Sequence, residues 1–134
     1  MLVDSSVWID LLNDTATAHR EALVRAIKAP EPIFITGLIL TEILQGLRSD
    51  AAARRVSNMM SAFRMVGELE PDDYRKAATL YRACRDQGVT LRSTIDCVIA
   101  QTCLKHNLPL LSRDKDFESI AQVSPLRLVC VSAR

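Results

Sequence analysis

Short apolar runs bounded by turn residues alternate with longer stretches of helical period along this chain. Leu2-Val3 ends at Asp4 and predicts a first strand. Residues 5–12 follow as a helix that Asp4 or Ser5 can cap. Apolar residues recur at 22, 23, 26 and 27, which predicts a helix over 18–29, stopped by Pro30-Glu31-Pro32. The β-branched and aromatic run 33–36 reads as a second strand, and Gly37 turns the chain. An apolar line at 39, 40, 43, 44 and 47 predicts a helix over 38–48, and a further helix runs over 50–65. Residues 66–69 read as a short strand. Pro71 opens a helix that ends at Asp86, before Gly88. A mostly apolar helix over 93–106, a strand at 108–111, a helix over 114–122 and a last strand over 126–131 complete the pattern.

Strands therefore alternate with helices, and the strands are continuous apolar runs of the kind buried on both faces. The expected class is α/β, a central parallel β-sheet flanked by α-helices. A length of 134 residues, with no repeat or linker, predicts a single domain over 1–134. Hydrophobic residues make up 49% and charged residues 25%, which excludes a disordered chain. The net charge of +1 excludes a polybasic nucleic-acid binder, though not a local basic rim around an acidic site. No apolar run approaches membrane-spanning length. Cys84, Cys97, Cys103 and Cys130 form no C-x-x-C pair and sit in apolar stretches, so they read as small buried hydrophobes in a reducing compartment. Met1-Leu2-Val3-Asp4 has no basic leader pattern, and a cytoplasmic location is expected.

Four acids fall where such a sheet gathers ligands, at the carboxyl ends of its strands. Asp4 follows the first strand, and Asp114 follows the strand at 108–111. Glu42 lies on the helix after the second strand, and Asp96 lies in the first turn of the helix over 93–106. Each has a purely structural explanation. Asp4 can cap a helix, and Ser93-Thr94-Ile95-Asp96 matches a capping box. Asp114 can complement a helix dipole, and Glu42 shares a polar face with Thr41 and Gln45. Asp96 stands apart. Thr94, Gln101 and Lys105 make one polar line, whereas Asp96 shares the opposite face with Ile99, Ala100 and Cys103. A carboxylate on a buried face is costly unless it is paired or metal-bound. Converging carboxylates also need a cation or a retained proton. Oxygen ligands without a His or Cys cluster point to Mg²⁺ or Mn²⁺.

The same residues carry a family resemblance. Val3-Asp4-Ser5-Ser6-Val7-Trp8-Ile9 resembles the opening motif of PIN-domain ribonucleases. Thr41-Glu42, the run Thr94 to Ala100, and Leu110-Leu111-Ser112-Arg113-Asp114-Lys115-Asp116-Phe117 resemble the three later motifs, in order. The short chain is similar to VapC-type toxins of toxin–antitoxin pairs. That resemblance implies a PIN-like α/β fold and a Mg²⁺-dependent endoribonuclease, with Mn²⁺ as a substitute ion. It implies Asp4 and Asp96 as principal metal-binding carboxylates and Glu42 and Asp114 as the other two acids. Ser6 matches a hydroxyl position beside the first acid. Asp116 is set aside as a solvated helix residue. The implied partners are RNA, a VapB-type antitoxin covering the site, and a second copy in a homodimer.

Around such a site, Arg48, Arg113 and Lys115 are candidate phosphate contacts, extended by Arg54, Arg55, Arg82, Arg85 and Arg92. Leu47, Met59, Met60 and Phe63 are candidates for an apolar groove. Trp8 reads as core. A haloacid-dehalogenase-like site would need a D-x-D pair where Asp4-Ser5-Ser6 stands, and a receiver domain would need an acidic pair near its start. The alternative from another class is a non-catalytic RNA- or protein-binding module on the same fold.

Overall fold

A computed structural model of the protein describes residues 1–131. The elements run in the order β1 (Leu2–Val3), α1 (Ser5–Leu12), α2 (Ala18–Lys28), β2 (Phe34–Ile35), α3 (Gly37–Gln45), α4 (Asp50–Met60), β3 (Arg64–Met65), α5 (Pro71–Asp86), α6 (Thr94–His106), β4 (Leu110–Leu111) and α7 (Lys115–Gln122). The four strands form one sheet in the order β3-β2-β1-β4, and every pairing is parallel. The chain steps outward from β1 to β3 and then returns to β4 on the other side of β1. The β1–β4 boundary is thus where strand order reverses, the place at which parallel α/β sheets open a crevice at their carboxyl edge.

Local chemistry explains most of the element boundaries. Thr17, Thr36 and Ser49 cap α2, α3 and α4, each accepting a hydrogen bond from a first-turn backbone N–H at 3.0–3.1 Å. Asp4 and Asp114 cap α1 and α7, so the strand–acid–helix order at both places is one structural device used twice. Helix α5 starts at Pro71 behind a Glu70–Asp73 capping box. Asn107, in the left-handed region at φ 53°, ends α6.

Leu2, Val3, Leu110 and Leu111 are fully buried under the helical layers, with Trp8, Ile39, Ile99 and Phe117 around them. Trp8 packs on Phe63 with ring centroids 4.8 Å apart. Four expectations need correcting here. The helix over 50–65 stops at Met60, and the strand expected at 66–69 sits earlier, at Arg64–Met65, because the chain must turn back to pair Ile35 with Met65. The last strand reduces to a single bridge between Leu110 and Leu128, since β4 offers only two residues to pair with. Cys130 is exposed, although Cys84, Cys97 and Cys103 are buried as expected.

Helix α6 departs most from its pattern. Its polar line is not wholly solvated: Thr94 and Lys105 are exposed, but Gln101 is not. Gln101 is buried and donates to Asp73 of α5 at 3.2 Å, and Lys105 donates to the same carboxylate at 2.6 Å. These bonds, first that from Lys105, lower the Asp73 pKa from its ordinary 3.8 to about 2. A carboxyl with a lowered native pKa stabilises the fold fully above about pH 4, and that contribution is lost as pH falls towards 2. We therefore expect Asp73→Asn to lower the melting temperature at pH 7 by about 5 °C. The variant should also lose less stability than the wild type between pH 4 and pH 2, which thermal scans at stepped pH will measure.

Candidate active site

Three loops and helix starts meet at the reversal point. Asp4, directly after β1, is 4% exposed. Its Oδ2 accepts from the Ser6 hydroxyl at 2.8 Å, from the Ser112 hydroxyl at 2.9 Å and, at 3.4 Å, from the Ser6 backbone N–H. Ser112 lies just after β4, so this one oxygen ties the two strand ends together. Asp4 Oδ1 takes no hydrogen bond among the described residues. Asp114 shows the same division. Its Oδ1 caps α7 by accepting from the Asp116 N–H at 3.0 Å and also accepts from Arg92 Nη2 at 3.0 Å. Its other oxygen is likewise without a donor among the described residues.

Asp96 sits in the first turn of α6 and is 7% exposed. The capping-box explanation fails for it. Ser93 caps the helix by accepting from the Ile95 N–H at 3.1 Å, and nothing among the described residues donates to the Asp96 carboxylate. Its pKa is pushed up to about 7, first by burial and then by Asp114, Asp4, Asp116 and Glu42. Carboxylate oxygens of Asp96, Asp114 and Asp116 lie within 4.8 Å of one another. A buried carboxylate with no donor, beside two others, fits a hard divalent cation better than any protein partner in reach.

Glu42 projects from the second turn of α3 and is half-buried, not solvated as its helix face suggested. Ser5 Oγ donates to it at 3.4 Å. Burial raises its pKa, as do Asp4 and Asp114, against the lowering effect of the Ser5 hydrogen bond. Asp116, set aside in the sequence as a solvated helix residue, is not solvated. Its side chain is only 15% exposed, and its carboxylate accepts from the Arg92 backbone N–H at 3.0 Å. The usable signal was its spacing. Asp114 at the cap and Asp116 two residues on both fall in the opening turn of α7, at the same helix end.

The basic candidates divide. A cleft of about 400 Å³ is lined by Ser6, Arg92, Arg113, Asp114, Lys115 and Asp116. Arg113 sits in it, but its guanidinium forks onto the buried Asp10 at 2.7 and 3.0 Å. Arg48 is exposed beyond the far end of α3, whose nine residues run roughly 14 Å from the carboxyl edge. Lys115 is exposed on the cleft rim. Of the candidate groove residues, Met60 is core and Phe63 is taken up by Trp8, while Met59 remains 42% exposed.

Comparison with known proteins bears on the family and the fold. The chain is similar to VapC ribonuclease Mb1587 of Mycobacterium bovis and to ribonuclease VapC11 of Mycobacterium tuberculosis, each 29% identical over 95% of this chain and 96% of the relative. Its fold resembles that of VapBC2 from Rickettsia felis, bound to a DNA fragment from their promoter (TM-score 0.73, 14% identity, 96% of both chains). It also resembles a toxin–antitoxin complex from Klebsiella pneumoniae (TM-score 0.68, 22% identity, 95% of this chain and 98% of that one). The family model for the PIN domain matches residues 1–123, and the chain belongs to the PIN domain family.

Proposed function

We propose that the chain is a divalent-metal-dependent endoribonuclease acting as the toxin of a toxin–antitoxin pair, with Mg²⁺ as its ion and Mn²⁺ as a substitute. The observation that carries this reading is Asp96, a nearly buried carboxylate with no hydrogen-bond donor that shares a 4.8 Å cluster with Asp114 and Asp116. Family membership and the ribonuclease names of the relatives support it.

In this reading Asp96 and Asp114 hold the ion, with Asp4 and Asp116 completing the acidic wall. An ion held there would lower the pKa of water and offset charge on the phosphoryl oxygens. Ser6 and Ser112 fix the Asp4 carboxylate by holding its Oδ2. Glu42, with its raised pKa, takes the proton of the attacking water. The water oxygen forms the new bond to phosphorus, the P–O3′ bond breaks, and O3′ takes a proton from solvent water, so the products carry a 5′-phosphate and a 3′-hydroxyl. Lys115 contacts a substrate phosphate from the rim. Arg113 acts from behind, holding the loop between Ser112 and Asp114 against Asp10. A VapB-type antitoxin and a homodimer belong to the same proposal, supported by the toxin–antitoxin complexes that share the fold. No helix among the described residues is long and apolar enough to cross a membrane.

Purified protein should cleave single-stranded RNA with Mg²⁺ or Mn²⁺ and stop with EDTA. Asp4→Asn and Asp96→Asn should each cut at least about 100-fold more slowly while keeping the wild-type circular dichroism spectrum. Full cleavage by both variants would remove these residues from the site, and RNA binding without cleavage under any metal would favour a binding module.

The pH dependence has a definite sign. Native Asp96 keeps its proton up to about pH 7, whereas its ordinary value is 3.8. The metal-free fold therefore loses stability as pH rises through that window. A divalent ion replaces the proton, so the rise in melting temperature on adding Mg²⁺ should grow from pH 5.5 to pH 8. In Asp96→Asn that growth should be absent.

A further inference from the structure

Arg92 occupies a position that the nuclease chemistry above does not use. Its Nη2 lies 3.0 Å from Asp114 Oδ1, and its Nε lies 3.5 Å from Asp116 Oδ2. Those are the two carboxylates that cluster with Asp96. Yet the Arg92 side chain is 76% exposed, and an ion pair in that setting is worth little and exchanges readily. Its backbone is anchored all the same. The Arg92 N–H donates to Asp116 at 3.0 Å, and the next residue, Ser93, caps α6. The guanidinium can leave the acids while the root of the side chain stays at the cleft.

The two other cations of the cleft differ in kind. Arg113 is locked by a bidentate bond to Asp10, which is 2% exposed and also held by Thr17. Lys115 is a point charge without a fork. Arg92 alone combines a planar, phosphate-matching donor set with a weak present partner. A divalent ion drawn to Asp96, Asp114 and Asp116 competes with Arg92 for the charge of the same two carboxylates and repels it.

We infer that Arg92 is an exchangeable cation. It neutralises Asp114 and Asp116 in the metal-free protein, and it turns to a phosphate of the RNA backbone when a divalent ion binds those carboxylates. The inference rests on the nuclease reading for the identity of the anion. It makes metal and RNA affinities respond to one residue with opposite signs, which an arginine that merely holds the loop would not do.

The test compares wild type, Arg92→Ala and Arg92→Lys. By titration calorimetry without RNA, Arg92→Ala should bind Mn²⁺ about three- to tenfold more tightly than wild type, because a competing charge is gone. By fluorescence anisotropy with a short labelled single-stranded RNA of mixed sequence, Ca²⁺ should strengthen wild-type binding over EDTA. Arg92→Ala should lose most of that gain, with a salt slope shallower by about 0.7. Arg92→Lys should recover part of the gain, since it keeps the charge and loses the fork. Unchanged or weaker Mn²⁺ binding by Arg92→Ala would overturn the inference. So would an equal Ca²⁺ gain in both proteins, or no RNA binding by the wild type. Cleavage by the wild type with Mg²⁺, run in parallel, separates the two ideas. Cleavage without the Arg92 effects defeats this inference alone, whereas no cleavage with any metal defeats the nuclease reading.

Discussion

Carboxylates held close in a poorly hydrated crevice repel one another, and the architecture of this protein is organised around keeping them there. Asp96 cannot swing away, because its helix is gripped on every side. Cys97, Ile99, Ala100 and Cys103 are buried in the core, and Gln101 and Lys105 are tied to Asp73 of α5. Asp4 and Asp114 are pinned at strand ends by β1–β4 pairing and by the shared Ser112 hydroxyl. The N-terminal ends of α1, α6 and α7 bring partial positive charge to the same edge. Arg92 adds a full one. Burial first, and then the neighbouring acids, still raise the pKa values of Asp96 and Glu42.

Capping leaves room for the proposed ligation. Asp4 and Asp114 each use one carboxylate oxygen to close a helix start and to bind neighbouring side chains, and each leaves the other oxygen without a donor. The structural explanation of those residues is correct, and it is also how their orientation is set. At Asp96 the two explanations do separate. Ser93 satisfies the helix start alone, and the acid is left with no structural task.

The fold was legible where short apolar runs meet strong punctuation. Asp4, Pro30 to Pro32, Gly37 and Pro71 mark true boundaries. The readings that failed depend on distant partners. The strand at Arg64–Met65 is set by its register against Ile35, which no local pattern contains. The run over 126–131 is strand-like by composition but finds little β4 to pair with. In the site, the buried face of α6 betrayed Asp96, because helical period alone separates it from Thr94, Gln101 and Lys105. The partner of that polar line, Asp73, lies on another helix and was invisible. The contact between Asp116 and Arg92 was hidden for a related reason. Each looks like an ordinary solvated charge until the α6 and α7 starts are brought together.

The central claim is that these converging acids are a cation site rather than a strained surface. Anomalous scattering from crystals grown with Mn²⁺ tests it most directly. The account predicts a manganese peak within coordination distance of both Asp96 and Asp114, with the Arg92 guanidinium displaced from them. A structure at saturating Mn²⁺ with the ion bound elsewhere, and Arg92 still on Asp114, would contradict it.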